Sequence, residues 1–206
     1  EGASITFDGM EEAPAYVSMF NEEKGGLFPG DEGYTGDEAI LEFSIEEVSG
    51  VDMLKVNNVP KDDGTYNGSK IRFDMAKIFE GQEDKMNDIF TVKADLILVA
   101  KDEATNDQGE SALVPGWVGG SFGTNNNGEW NGNMIEWSGN EWTSEWCYVE
   151  LKITPGIYGA DSAATFNSSY ETNYLALMEW GISHDIDLYI ADLVFETEDG
   201  TVITVD

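Results

Sequence analysis

Short segments in which apolar and polar residues alternate recur along the chain and predict β-strands. In Glu38–Glu46 and Lys70–Met75 every second residue is apolar, and this period of two places those side chains on one face of a strand. Trp146–Ile153 repeats the pattern. Val51–Val56 follows the first of these segments across the turn-forming pair Ser49-Gly50, which predicts a hairpin.

The remaining predicted strands are shorter or less regular, and almost no helix is expected. In chain order they are Ser4–Phe7, Ala15–Phe20, Phe90–Ala100, Ala112–Val118, Asn173–Ile182, Ile186–Glu196 and Thr201–Val205. A helix of a turn or two is predicted near Ala76–Phe79, and Gly119–Gly123 is predicted to lie in a glycine-rich loop. Many short strands separated by turn residues are typical of a β-sandwich or jelly roll. We therefore predict an all-β fold, an antiparallel β-sandwich of jelly-roll type with two sheets and little helix, in a single domain that spans residues 1–206.

One stretch, Pro115–Ile153, holds five of the six tryptophans, separated mainly by Gly, Asn, Ser and Glu. At its end the alternation in Trp146–Ile153 predicts that Cys147 begins an apolar row facing the core. Trp146, Tyr148 and Glu150 then occupy the opposite face of the same strand. Large aromatic residues beside charges on that face favour a binding surface. The alternative is that a loop or the second sheet covers them.

Aromatic residues interleaved with amides and carboxylates suit a sugar ligand. A pyranose ring has apolar faces of C–H groups, which a flat indole covers, and a rim of hydroxyls, which amides and carboxylates bind. The predicted carbohydrate-binding residues are Trp117, Trp130, Trp137, Trp142, Trp146, Tyr148, Glu150 and Trp180.

The charge of the chain narrows the range of partners. With 41 acidic and 10 basic residues, the formal net charge is −31. Such a field repels nucleic-acid phosphates and anionic lipid headgroups, so we expect neither nucleic acid nor membrane as a partner. Cys147 is the single cysteine, which excludes a disulfide within the chain, and a buried inert thiol is the favoured interpretation.

Three features of the sequence that could suggest an enzyme do not support one. Gly119–Gly123 matches the G-x-S-x-G nucleophile elbow, but the residues that follow are among the poorest helix formers, and the elbow requires a helix there. His184 is the only histidine, which excludes a zinc site with several histidine or cysteine ligands. A glycosidase needs two carboxylates, but 41 acidic residues make a suitable pair uninformative. None of these features therefore indicates an active site.

Both ends of the chain resemble jelly-roll carbohydrate-binding modules. The end, IDLYIADLVFETEDGTVITVD, is similar to their closing strands, and the opening SITFDGMEE to their first strand. Ala191 departs from the pattern, which commonly has an acidic residue at this position. The resemblance implies a non-catalytic module of a larger, multimodular bacterial protein. That larger protein would be a secreted plant-cell-wall-degrading enzyme or a cellulosome-type assembly.

The same resemblance implies a structural calcium ion between the first and last strands. Asp8, after the first predicted strand, and Asp192, in the closing strand, match the family's pattern. Calcium binds several oxygen ligands, some of them carboxylates. The alternative is that both are ordinary edge or turn carboxylates.

The leading hypothesis is a module that targets an attached enzyme to neutral plant-cell-wall β-glucan, such as cellulose, xyloglucan or mixed-linkage glucan. One alternative is a jelly-roll glycoside hydrolase or lyase. A further alternative is a protein–protein adhesion or scaffold module that uses its tryptophans as binding hot spots.

Overall fold

The computed structural model describes residues 2–19, 32, 40–59, 70–100, 119–136, 147–152, 165–180 and 186–206. Over this part of the chain, eleven strands form two antiparallel sheets. The strands are β1 (Ile5–Thr6), β2 (Val17–Met19), β3 (Ile40–Val48), β4 (Val51–Val59), β5 (Lys70–Asp74), β6 (Thr91–Ala100), β7 (Gly119–Asn126), β8 (Glu129–Glu136), β9 (Cys147–Lys152), β10 (Asn173–Trp180) and β11 (Ile186–Glu196).

The order of the strands confirms the predicted jelly-roll sandwich. The first sheet runs β3-β4-β11-β6-β9, with β1 also paired to β11, and the second runs β2-β5-β10-β7-β8. Among the described strands, only the β3–β4 and β7–β8 connections stay within one sheet. Every other connection crosses between the sheets, so strands distant in sequence become neighbours.

The core lies between the two sheets and follows the alternation in the sequence. In β5 and the residue after it, Ile71, Phe73 and Met75 are fully buried, as predicted. Leu175 and Leu177 of β10 face the same core. Burying one such side chain contributes about 1.5–3 kcal/mol, so the shared core holds the sheets face to face.

Two hairpins close with the same kind of turn. Ser49 and Gly50, between β3 and β4, have φ of 52° and 83°, and Asn127 and Gly128, between β7 and β8, have φ of 53° and 79°. Positive φ at both central residues defines the turns that match the twist of paired strands. The first strand of the second hairpin, β7, includes Gly119–Gly123. The prediction of a glycine-rich loop at these residues is wrong.

The predicted helix is confirmed as α1 (Met75–Ile78), and a short 3₁₀ helix follows at Glu83–Asp88. The Asp74 carboxylate begins α1 by accepting hydrogen bonds from the backbone N–H groups of Ala76, at 3.1 Å, and Lys77, at 3.3 Å. Within the described ranges no helix is long and apolar enough to cross a membrane.

The prediction of a last strand at Thr201–Val205 is wrong. Val202 makes only an isolated bridge to Glu196, and the Ile203 N–H donates to the Phe195 carbonyl at 2.8 Å. The turn before it explains the difference, since the Asp199 carboxylate accepts from the Thr201 N–H at 3.1 Å. Such local side-chain bonds compete with a regular ladder.

Candidate functional site

The predicted carbohydrate-binding residues fall into separate groups. Trp130 lies in β8 and Trp180 in β10, both in the second sheet. Tyr148 and Glu150 lie in β9 of the first sheet. The other four predicted residues lie outside the described ranges: Trp117, Trp137, Trp142 and Trp146. The described candidates thus occupy both sheets of the sandwich and do not form one surface.

The outward positions of the second sheet follow from the burial of β10. Leu175 and Leu177 are buried in the core, so Tyr174 holds an outward position on the same strand. Tyr174 pairs with Asp74 of β5 and Asn125 of β7, and Asn125 pairs with Trp130 of β8. Paired residues of antiparallel strands share a face, so one row of aromatic and polar positions crosses four strands.

The next row on this face consists mostly of small residues. Ala176 pairs with Arg72 and Gly123, and Gly123 pairs with Gly132. Ala176 and Gly123 are buried, so this row forms the floor of the face. Two further rows complete the face. One crosses β5, β10, β7 and β8 and consists of Lys70, Met178, Ser121 and Met134. The other crosses β10, β7 and β8 and consists of Trp180, Gly119 and Glu136. We call these four rows the glycine-rich face.

An arginine holds the described aromatic side chain of this face in place. The Arg72 guanidinium carbon lies 4.1 Å from the centroid of the Tyr174 ring, a cation–π contact. Its Nε donates to the Ser18 Oγ at 3.1 Å. Tyr174 and Asn125 are both half-buried, so the face presents part of a fixed aromatic ring beside an amide.

The outer face of the first sheet is occupied by charged and aromatic residues that contact one another. The Lys55 Nζ donates to the Glu46 Oε2 at 2.9 Å and lies 3.7 Å from the Asp187 Oδ2. Lys55 also lies over the Tyr189 ring, 5.7 Å from its centroid. The hydrogen bond to Glu46, and after it the charge of Asp187, raise the pKa of Lys55. Asp187 is only 3% exposed.

This part of the first sheet therefore offers little open surface. Met53 is fully buried and Tyr189 is 7% exposed, although both lie with Val48 and Ala191 in a small cluster separate from the main core. Burial raises the pKa of the Tyr189 phenol. Lys55, Glu46 and Tyr189 thus already contact one another on this face.

Two carboxylates occupy paired positions further along the first sheet. Asp192 pairs with Asp95 of β6 and Thr6 of β1, beside a register shift at Ala191, and Asp95 pairs with Tyr148. Burial, and after it the charge of Asp95, raises the pKa of Asp192 to about 6. Its Oδ1 is buried and makes no hydrogen bond within the described part of the chain.

The structure places the two predicted calcium ligands near the paired first and last strands. Asp8, which follows β1, is exposed, whereas Asp192 is half-buried in β11. Over the described ranges, no three His, Cys, Asp or Glu residues lie close enough to hold a metal ion. A calcium ion bound by these two residues stays a prediction.

Comparisons with known proteins support the fold. A chain from an exo-β-agarase has a TM-score of 0.54 at 10% identity, over 96% of this chain but only 25% of that one. A family 11 carbohydrate-binding module from Clostridium thermocellum, in complex with a β-1,3-1,4-mixed-linked tetrasaccharide, has a TM-score of 0.44 at 12% identity, over 94% and 98% of the two chains.

A carbohydrate-binding module in complex with β-1,4-galactotriose has the same TM-score of 0.44, at 8% identity, over 96% of this chain and all of that one. Carbohydrate-binding modules are thus among the solved structures that this chain resembles. The likeness to the agarase chain supports a shared fold. No family model and no curated protein matches the sequence.

Proposed function

We propose that the chain is a non-catalytic carbohydrate-binding module that binds neutral plant-cell-wall β-glucan on the glycine-rich face. The observation that supports this most directly is the row formed by Asp74, Tyr174, Asn125 and Trp130 across four strands. Aromatic rings cover the apolar faces of sugars, while the Asn125 amide and the Arg72 guanidinium suit their hydroxyls.

The dimensions of the face also suit an oligosaccharide. The row crosses three strand spacings of about 4.8 Å, or roughly 14 Å in all, which accommodates two or three sugar rings. The row of Ala176, Gly123 and Gly132 beside it has almost no side-chain volume. Because Ala176 and Gly123 are buried, a glucan chain would contact the larger, half-buried residues beside them, Tyr174 and Asn125.

The first sheet is the less suitable surface in this proposal. Contacts among Lys55, Glu46 and Tyr189 already occupy its outer face at β3, β4 and β11. Tyr148 and Glu150 pair with Asp95 and Lys93 on the same sheet, away from Trp130 and Trp180. We therefore assign the glucan to the second sheet and leave Tyr148 and Glu150 outside the site.

The proposed site gives moderate affinity for an uncharged ligand. Stacking a ring on an aromatic side chain contributes about 1–3 kcal/mol, by analogy with nucleobases. Two such contacts amount to about 2–6 kcal/mol before the costs of ordering the ligand, so we expect binding weaker than micromolar unless the polar contacts add to it. A neutral glucan also avoids the repulsion that the net charge of −31 imposes on an anionic polysaccharide.

The paired carboxylates Asp95 and Asp192 are the feature that favours the alternative, a glycoside hydrolase, because these enzymes use two carboxyl groups. Incubation with a panel of polysaccharides and a reducing-sugar assay separates the two functions. A binding module releases no sugar, whereas a hydrolase releases sugar that Asp192→Asn abolishes.

Affinity electrophoresis in gels that contain cellulose derivatives, xyloglucan, mixed-linkage glucan or galactan tests the proposal itself. We expect retardation by one or more β-glucans and its reversal by soluble oligosaccharide. Retardation by none of the polysaccharides would favour a protein–protein module. We further propose that the chain acts within a larger secreted bacterial protein and targets an attached enzyme to its substrate.

A further inference from the structure

A cavity of about 580 Å³ lies at one end of the sandwich, away from the glycine-rich face. It is lined by Asp88 at the end of the 3₁₀ helix, Phe90 just before β6, Thr165, and four residues after β11: Thr197, Glu198, Asp199 and Thr201. Its volume falls within the range of about 300–1,000 Å³ that is typical of small-molecule sites.

Part of the cavity wall is fixed by hydrogen bonds within the protein. The Asn87 Nδ2 donates to the Ser168 Oγ at 3.2 Å, and the Ser168 N–H donates back to the Asn87 Oδ1 at 2.8 Å. Asp199 accepts from the Thr197 hydroxyl, a bond that lowers the pKa of Asp199. These residues therefore shape the wall and have few groups left for a ligand.

Other groups of the wall remain available. Asp88, Glu198 and the hydroxyls of Thr165 and Thr201 make no hydrogen bond to the described residues, and the Phe90 ring is half-buried beside them. Two carboxylates and two hydroxyls call for a ligand with several hydrogen-bond donors, and an aromatic wall calls for an apolar patch on that ligand.

These requirements exclude several classes of ligand. The carboxylates repel anions, and no cluster of three metal-binding side chains occurs over the described part of the chain. A simple amine would pair with Asp88 or Glu198 but would leave the hydroxyls of Thr165 and Thr201 unused. A neutral sugar has hydroxyls for all four groups and a C–H face for Phe90.

We infer that this cavity is a second saccharide site, which takes one or two rings of a neutral glycan. The inference rests on the proposed carbohydrate-binding function but concerns a different surface. The Asn126 Nδ2, at the end of β7, donates to the carbonyl of Thr165 at 2.9 Å. Because Thr165 lines the cavity, the cavity lies beyond the end of the strand that carries Asn125. The chain would then contact glycan at two surfaces.

Amide shifts in the nitrogen-15-labelled full chain during titration with cellotetraose test this inference. We expect two separate groups of shifts, one around Tyr174 and Asn125 and one around Thr165 and Thr201. The double variant Glu198→Gln/Thr201→Val should weaken only the second group, by about tenfold, because it removes a charged and a neutral partner. Asp88→Asn provides an independent second test of the cavity.

Glu12→Gln is the matched control, because Glu12 is exposed and lies outside both surfaces. Melting curves verify that each variant is folded. Shifts confined to the glycine-rich face would overturn the inference and leave the proposed function intact. Shifts at the cavity with methylammonium chloride but not with cellotetraose would show an amine site and overturn it as well. Shifts at the cavity alone would instead contradict the proposed face.

Discussion

Tyr174 illustrates how a single residue combines placement and chemistry in the proposed site. Its backbone lies between Asp74 and Asn125 in the row across the second sheet, and Arg72 stacks on its ring at 4.1 Å. The sequence places Trp180 on the same strand at the same period of two. Tyr174 was not among the predicted residues, because an aromatic residue in an apolar strand looks the same whether it faces the core or solvent.

Tyr174→Ala should weaken binding of β-glucan oligosaccharide by about tenfold, because the variant loses one stacking platform. Tyr174→Phe should stay within about twofold of the wild type, since it keeps the ring face. Isothermal titration calorimetry measures both. Equal losses in the two variants would mean that the hydroxyl, and not the ring, contacts the sugar.

Tyr16 gives a prediction about stability. Burial raises the pKa of its phenol from 10.0 to about 12, and its hydroxyl makes no hydrogen bond within the described residues. The protonated phenol thus contributes stability that is fully present below pH 10 and is lost as the pH rises through about 12.

Tyr16→Phe should therefore stabilise the protein or leave it unchanged near pH 7, within about 1 kcal/mol, and should make it more resistant than the wild type to unfolding between pH 10 and 12. Urea unfolding at neutral and alkaline pH gives the comparison. A variant that is less stable at both pH values would show that the hydroxyl has a partner.

At the scale of elements, the β7–β8 hairpin places Trp130 in the proposed site. Gly128 has φ of 79°, and a Cβ there would meet no atom within 4 Å. Backbone strain, and not a steric clash, therefore opposes a side chain at this position. Gly50 in the β3–β4 hairpin has the same features, with φ of 83°. The two glycines form a matched pair on different sheets.

Gly128→Ala and Gly50→Ala should each lower the free energy of unfolding by about 1 kcal/mol, the cost of a left-handed conformation for alanine. Only Gly128→Ala should also weaken glucan binding, because its hairpin carries Trp130. Denaturation and calorimetry on both variants provide the measurement. Weaker binding in Gly50→Ala alone would place the ligand on the first sheet.

Elements with regular alternation were predictable, whereas a strand made largely of glycine and polar residues was not. The apolar row of Lys70–Met75 gave β5 correctly because its period matches the burial of Ile71 and Phe73. β7 was missed because its glycines conceal any apolar period, although Asn127-Gly128 is a strong hairpin signal. The division of the candidate site was also missed, since long-range pairing and not local sequence joins β9 to β6 and β7 to β10.

At the scale of the whole molecule, the net charge of −31 sets a balance between solubility and stability. Repulsion among like charges destabilises the compact state, and salt screens it. Adding sodium chloride should therefore raise the melting temperature by several degrees, roughly the effect of 1–2 kcal/mol for a chain of this size. The affinity for a neutral glucan should not change with salt. A polysaccharide whose affinity falls strongly with salt would instead be bound through its charge.

The predicted calcium ion concerns the closure of the sandwich by its first and last strands. If Asp8 and Asp192 hold calcium where β1 pairs with β11, EDTA should lower the melting temperature by a few degrees and added calcium should restore it. Asp192→Asn should remove this response, whereas Glu12→Gln should keep it. A wild-type protein that responds to neither treatment would contradict the prediction.

The central claim is that glucan binds on the second sheet, and Trp130 and Tyr148 separate the two faces most directly. Isothermal titration with cellotetraose, run beside a melting curve, compares Trp130→Ala with Tyr148→Ala. We predict that Trp130→Ala weakens binding by about tenfold, while Tyr148→Ala stays within about twofold of the wild type. Unchanged affinity in folded Trp130→Ala, with a loss of binding in folded Tyr148→Ala, would contradict it and move the site to the first sheet.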